Sequence, residues 1–276
     1  MNTTFLAAAI QMSSTADKKS NLDQAAHWIR EAAKQGARLI VLPELFNCLA
    51  SREEMITQAE SIPGTTSKAA SSWAKQWRIT LVAGSMLERA GEGKAFNTSL
   101  VFTPSGEQSS VYRKIHLFDV DLPDEVTFQE SSFVTAGDRV EVVDTPCGQL
   151  GLSICYDLRF PELYRRLVDK GADILTVPSA FALATGRDHW NVLLRARAIE
   201  NQAFVIAADQ HGKHSDEIVT YGRSMIIDPW GIPLSTAADG QGIAIASIDR
   251  SRTQAIRKRL PALAHRRRLE QWGDSW

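Results

Sequence analysis

Hydrophobic and polar positions alternate between two periods along this chain. Residues 4–12 are almost continuously apolar, as a strand buried on both faces is. Ser20-Asn-Leu-Asp23 then reads as a helix cap. Ala25, Ala26, Ile29, Ala32 and Ala33 follow at helical spacing and stop at Gly36. Arg38-Leu-Ile-Val-Leu-Pro43 predicts a second buried strand that delivers Glu44 at its carboxyl end, where α/β proteins place ligands. A helix over 65–77 and strands near 79–87, 96–103 and 110–116 follow, after which regular pattern is lost through 117–138. Strands at 139–143 and 149–155 are joined by Pro146-Cys-Gly148, with a helix from Pro161 to Lys170 and a strand over 171–178. A helix at 186–202, strands at 203–208, 223–228 and 242–248, and a helix near 249–259 complete the second half.

One segment occurs twice. Gly36-Ala-Arg-Leu-Ile-Val-Leu-Pro-Glu-Leu-Phe46 and Gly171-Ala-Asp-Ile-Leu-Thr-Val-Pro-Ser-Ala-Phe181 share Gly-Ala, an aliphatic-rich strand, Pro and a terminal Phe, 135 positions apart. The order of elements around them matches too. Two related halves are therefore expected in one domain spanning 1–276. Each contributes a sheet, packed face to face with helices outside, in a four-layer α-β-β-α sandwich with its site at the strand carboxyl ends.

Composition removes several function classes. A net charge of -1 offers no attraction for nucleic acid or an anionic membrane, so the expected partner is a small molecule. Cys48, Cys147 and Cys155 fit neither a metal spacing nor a disulfide framework, which suits reduced cytoplasm, and no cofactor or metal is called for. Phe5–Ile10 is too short to span a membrane. Gly93-Lys94 is no phosphate loop, because Glu88 stands where the earlier glycine belongs and Ala95 replaces the hydroxyl. Arg266-Arg267-Arg268 reads as a solvated surface or a subunit contact.

Cys155 lies where an apolar strand passes into a helix announced by Pro161. Unpaired backbone N–H groups and a helix dipole there would lower a thiol pKa, although a buried structural cysteine fits this stretch alone equally well. Gly151-Leu-Ser153-Ile resembles a serine nucleophile elbow but has Cys155 where the final glycine belongs. Glu44, Lys114 and Cys155 each fall at a predicted strand end. Leu42-Pro-Glu44, Tyr112-Arg-Lys114-Ile-His-Leu and Cys155-Tyr-Asp-Leu-Arg-Phe-Pro-Glu162 resemble, in that order, the three signature segments of the nitrilase superfamily of carbon–nitrogen hydrolases. Phe128-Gln-Glu-Ser131, Pro178-Ser-Ala-Phe181, Leu194-Arg-Ala-Arg-Ala-Ile-Glu200 and Asp228-Pro-Trp-Gly231 resemble the branch holding deaminated glutathione amidase and omega-amidase, the former more closely. Asp124 departs from the pattern, which often has Gly there.

The resemblance implies an amidase that forms a cysteine thioester. Cys155 would be the nucleophile and Glu44 the general base. Lys114, with the Tyr156 N–H, would stabilise the oxyanion, and Glu130 would orient Lys114 or the amide. Phe46 and Phe181, at equivalent places in the repeat, would wall the pocket, and Arg159 could meet a carboxylate of an acidic substrate or an internal acid. Deaminated glutathione is the favoured substrate, with α-ketoglutaramate (an omega-amidase) or a nitrile as alternatives, and a non-catalytic scaffold as the reading from another class. Relatives of this kind pair through second-half elements, so a homodimer or larger homo-oligomer is expected.

Overall fold

Three parallel strands form the centre of each of two sheets. The computed structural model describes residues 4–91, 93–122 and 126–267. Its first sheet is built on Thr4–Gln11, Ala37–Val41 and Thr80–Val82. Lys94–Phe102 extends it, pairing antiparallel with Thr80–Val82, Met86–Gly91 and Gln108–Arg113. The second sheet is built on Gly148–Leu152, Ile174–Ser179 and Phe204–Asp209, flanked by Val142–Thr145 on one side and by Met225–Ile227 and Pro233–Thr236 on the other. Gly242–Asp249, expected to complete the second half, instead pairs antiparallel along the whole of Thr4–Gln11. The last strand of the chain thus belongs to the first sheet.

Strand alternation explains the layering, because successive side chains point to opposite faces. Ala7, Ala9, Leu39, Val41, Val82 and Val101 are buried in one core with Leu150, Leu152, Ile174 and Ile206 of the second sheet. Their neighbours Ala8, Ile10, Ile40, Leu81 and Leu100 pack instead with Ala25, Ile29 and Ala32 of helix Lys18–Lys34 and with Ala70 and Ala74 of helix Thr65–Trp77. Helices Pro161–Asp169 and Leu183–Asn201 contribute Leu163, Leu167, Trp190 and Leu194 to the core around the second sheet. The result is the four-layer sandwich. The repeat survives in backbone detail, since Gly36 and Gly171, which stop the two equivalent helices, have φ of 93° and 104°, a left-handed conformation open to glycine at little cost.

Local differences from the sequence reading have identifiable causes. The first helix is capped by Asp17, which accepts from the Ser20 amide, so it starts at Lys18. Asn21 is buried and clasps Thr15 and Asn47. The stretch 117–138 is more regular than expected, holding a hairpin of Asp119–Leu122 with Val126–Gln129 and a 3-10 turn at Glu130–Ser132. Asp124 and Arg268 lie outside the described residues. No helix among the described residues is long and apolar enough to cross a membrane.

Candidate active site

Four chain segments bring Glu44, Lys114, Glu130 and Cys155 to the wall of one cavity, partly open to solvent. Glu44 leaves the first sheet just past Ala37–Val41. Its neighbours are pinned to Ser85, whose hydroxyl accepts from the Leu45 amide and whose carbonyl accepts from Phe46. The repeat itself positions Glu44. Its backbone N–H donates to the carbonyl of Ser179, its counterpart in the second half, and the Ala180 amide donates to its Oε2 at 2.8 Å. Lys114 follows Gln108–Arg113 directly, its amide donating to Asn97 and its carbonyl accepting from Gly137. Glu130 opens the 3-10 turn at the neck of the hairpin, where its N–H donates to the Phe118 carbonyl and its Oε2 accepts from the Phe118 N–H at 2.7 Å.

Lys114 Nζ joins the two acids, 2.9 Å from Glu44 Oε1 and 2.9 and 3.1 Å from the two Glu130 oxygens. All three side chains are almost fully buried. Burial opposes the Lys114 charge, but Glu130, Glu44 and Cys155 outweigh it and hold the ammonium well above the usual lysine range. Lys114 is therefore a fixed cation.

Cys155 begins a 3-10 turn, Cys155–Arg159, in a left-handed conformation with φ of 45°, uncommon for a residue with a side chain. The preceding strand ends at Leu152 and the next α-helix starts only at Pro161, so no α-helix N-terminus abuts the thiol. The expectation of a lowered thiol pKa is reversed. Burial and then Glu44 push Cys155 well above its ordinary range, and Lys114 and the Ala180 amide pull down without prevailing. The resting residue is a thiol that needs a base.

Asp157 holds this turn in place. Wholly buried, it accepts from the Tyr112 hydroxyl at 2.7 Å, the His116 amide at 3.0 Å and the Ile154 amide at 2.9 Å. Burial and the Asp157 charge push the Tyr112 phenol well above its ordinary range, which keeps it a donor. Asp157→Ala strands four donors, these three and the His116 ring Nδ1–H at 2.8 Å, and urea unfolding is expected to show a loss of about 3 kcal/mol or more together with loss of turnover. Asp157 lies inside the quoted cysteine segment but received no role from the sequence. Asp209, at the end of Phe204–Asp209, accepts from the Phe181 and Gly222 amides, and burial, with Glu44 adding to it, pushes its carboxyl well above the usual range. It could have been noticed by the argument that found Glu44, an acid closing a buried strand.

Of the other expected residues, Tyr156, Arg159 and Phe181 line the cavity and Phe46 does not. Phe46 is wholly buried in the outer core of the first sheet, and Leu45, with φ of 50°, takes the cavity wall. Arg159 lies 5.2 Å from the Phe181 ring centre and 3.1 Å from His189 Nδ1. Among the described residues no carboxylate pairs with it. Ser153, in contrast, is buried and bonded to the Tyr164 hydroxyl and the Thr176 carbonyl, each at 2.8 Å, which makes it a structural residue. Among the described residues, no group of three or more His, Cys, Asp or Glu is placed to hold a metal ion.

A thiol held beside a carboxylate and a buried ammonium, on two duplicated α/β halves, defines a hydrolase that works through a cysteine nucleophile. Residues 6–258 match the family model described as carbon-nitrogen hydrolase, and the chain belongs to that family, the nitrilase superfamily. It is 47% identical over 266 residues to a deaminated glutathione amidase of Synechocystis, covering 95% of this chain and 98% of that one. With an omega-amidase of Mus musculus it shares 41% over 264 residues, 96% of this chain and 95% of the other. The crystal structure of the C. elegans NitFhit protein superposes with a TM-score of 0.90 at 37% identity, covering 96% of this chain and 65% of that longer chain. The fold is thus that of the superfamily, and the chain is a hydrolase of carbon–nitrogen bonds.

Proposed function

We propose that Cys155, Glu44, Lys114 and Glu130 hydrolyse a small linear amide to carboxylate and ammonia. The supporting observation is the buried Lys114 bridge between the two glutamates at the cavity that Cys155 lines. Cys155 Sγ attacks the amide carbon as Glu44 takes the thiol proton. The tetrahedral oxyanion is met by Lys114 and the Tyr156 N–H. The C–N bond breaks as Glu44 returns that proton to nitrogen, so ammonia leaves and an acyl thioester remains. Water then gives a proton to Glu44 and hydroxide to the acyl carbon, the C–S bond breaks as Glu44 returns the proton to sulfur, and the carboxylic acid released passes its own proton to ammonia, leaving carboxylate and ammonium. An oxyanion donor of this type contributes roughly 3 kcal/mol of barrier lowering. Glu130 keeps the Lys114 ammonium oriented.

Deaminated glutathione is the proposed substrate, because the 47% identical relative carries that name. Arg159 supports an acidic substrate, being a cation on the cavity wall with no acid paired to it among the described residues. Ammonia release from deaminated glutathione, α-ketoglutaramate, glutamine and a simple nitrile tests the choice. Fastest turnover of deaminated glutathione is expected. A lead for α-ketoglutaramate makes the protein an omega-amidase, a lead for the nitrile makes it a nitrilase, and silence on all four overturns this substrate class. Arg159→Ala is expected to raise KM for the acidic amides about 10- to 100-fold with kcat nearly kept, the loss of one charge-assisted hydrogen bond.

The protein is read as a single cytoplasmic domain that pairs with itself and binds neither nucleic acid nor membrane. Pairing is supported by exposed Val192 and Ile199, two turns apart on helix Leu183–Asn201, with exposed Trp230 and Ile232 beside them. The 228–231 turn rests on Ile199 and is tied to Arg195 through the Gly231 carbonyl.

A further inference from the structure

Asn97 lies on Lys94–Phe102, only 1% exposed, with its side chain between the two glutamates. Its Nδ2 is 2.8 Å from Glu44 Oε1 and 3.1 Å from Glu130 Oε1. Its Oδ1 is buried without a hydrogen-bond partner. An amide has two N–H groups, so one is available to each carboxylate, and leaving Oδ1 bare costs free energy that the native fold accepts. Such a buried defect calls for a compensating use. Glu44 Oε1 then accepts from both Lys114 and Asn97, whereas among the described residues Oε2 accepts only from the Ala180 amide, the same amide that faces the Cys155 thiol.

We propose that Asn97 is a positioning residue for the general base: its two N–H groups fill Oε1 of Glu44 and Oε1 of Glu130, leaving Glu44 Oε2 as the oxygen that takes the Cys155 proton. Lys114 cannot do this alone. Its contacts are spread over Oε1 of Glu44 and both oxygens of Glu130, and Asn97, anchored in a strand, ties Oε1 of one to Oε1 of the other. The charged and titratable groups that face Glu44 are Lys114 from the end of Gln108–Arg113, Cys155 from its 3-10 turn, Asp209 from the second sheet and Glu130 from the hairpin neck. Among these and Asn97, only Asn97 reaches both carboxylates without bringing charge.

The proposal rests on Glu44 acting as base to Cys155, and a test that uses no substrate separates the two. The rate of Cys155 alkylation by iodoacetamide is followed from pH 6 to 9 in the intact protein, confirmed by peptide mass. Asn97→Leu, with the same side-chain heavy-atom count and branching but without donors, is expected to slow alkylation about tenfold at neutral pH. The difference should persist to pH 9, because a thiol held well above its ordinary range still depends on the base there, and kcat should fall at least tenfold while KM changes less than threefold. Asn97→Ser, too short to bridge the glutamates, should behave likewise and serves if the leucine variant does not fold. Ser99→Ala removes another buried polar group of the same strand and should leave alkylation unchanged. In a Glu44→Gln background, Asn97→Leu should have no further effect on alkylation. A folded Asn97 variant with the parent alkylation profile, an equal loss in Ser99→Ala, or an undiminished loss in the Glu44→Gln background overturns the proposal. If Glu44→Gln alone leaves alkylation untouched, the fault lies with Glu44 as base.

Discussion

Cys155→Ala is expected to abolish ammonia release, lowering kcat on the order of 10⁴- to 10⁶-fold, while the protein stays folded. The loss is this large because the other groups have nothing to act on. Lys114, Glu44 and the Tyr156 N–H lower the barrier for an attack that sulfur begins, and water entering the same position is a far weaker nucleophile. Folding should survive because the 155–159 turn is held by Asp157 and not by the thiol. Circular dichroism and urea unfolding check that half of the prediction. Full activity in this variant removes Cys155 from the mechanism.

The second large effect is expected at Lys114. Lys114→Met leaves Glu44 and Glu130 buried and facing one another with Asn97 as their only shared donor among the contacts described above. Removing one partner of a buried ion pair costs about 3–5 kcal/mol, and loss of an oxyanion donor adds a fall in kcat of about 10²- to 10³-fold. The pH dependence has a definite sign. Folding holds the Lys114 proton well above the usual lysine range, so its contribution is fully present below pH about 10 and is lost as pH rises beyond that. Urea unfolding at pH 7 should show the whole deficit in the variant, and the gap between parent and variant should narrow only in strong alkali. A variant as stable as its parent at pH 7 contradicts the fixed-cation description of Lys114.

What was legible in the sequence followed from strand ends. Glu44 closes an apolar strand and Lys114 follows a mostly polar one, and the repeat from Gly36 to Phe46 exposed the two halves. Cys155 was found by the same logic, yet its strand stops three residues earlier and the sulfur sits in a left-handed turn. A run of apolar residues does not reveal where pairing ends. The sign of the thiol shift followed that error, since burial and Glu44, both long-range consequences of folding, outweigh local backbone dipoles. The hairpin at 119–129 was missed because its strands are four residues long and two aspartates interrupt the first. Phe46 was assigned to the pocket by symmetry with Phe181, but the two halves diverge at that point, one presenting Leu45 and the other Phe181. Asn97 left the faintest trace, a polar residue at an inward position of an apolar strand, and only its distance to two acids gives it meaning.

The most direct test of the account is to mix the protein with deaminated glutathione, quench in acid within the first turnovers, and locate any added mass by peptide mapping. The peptide bearing Cys155 is expected to gain the mass of the substrate less ammonia, as a hydroxylamine-sensitive thioester, and Cys155→Ala to gain nothing. An acyl group on another residue, or ammonia released undiminished by Cys155→Ala, contradicts it.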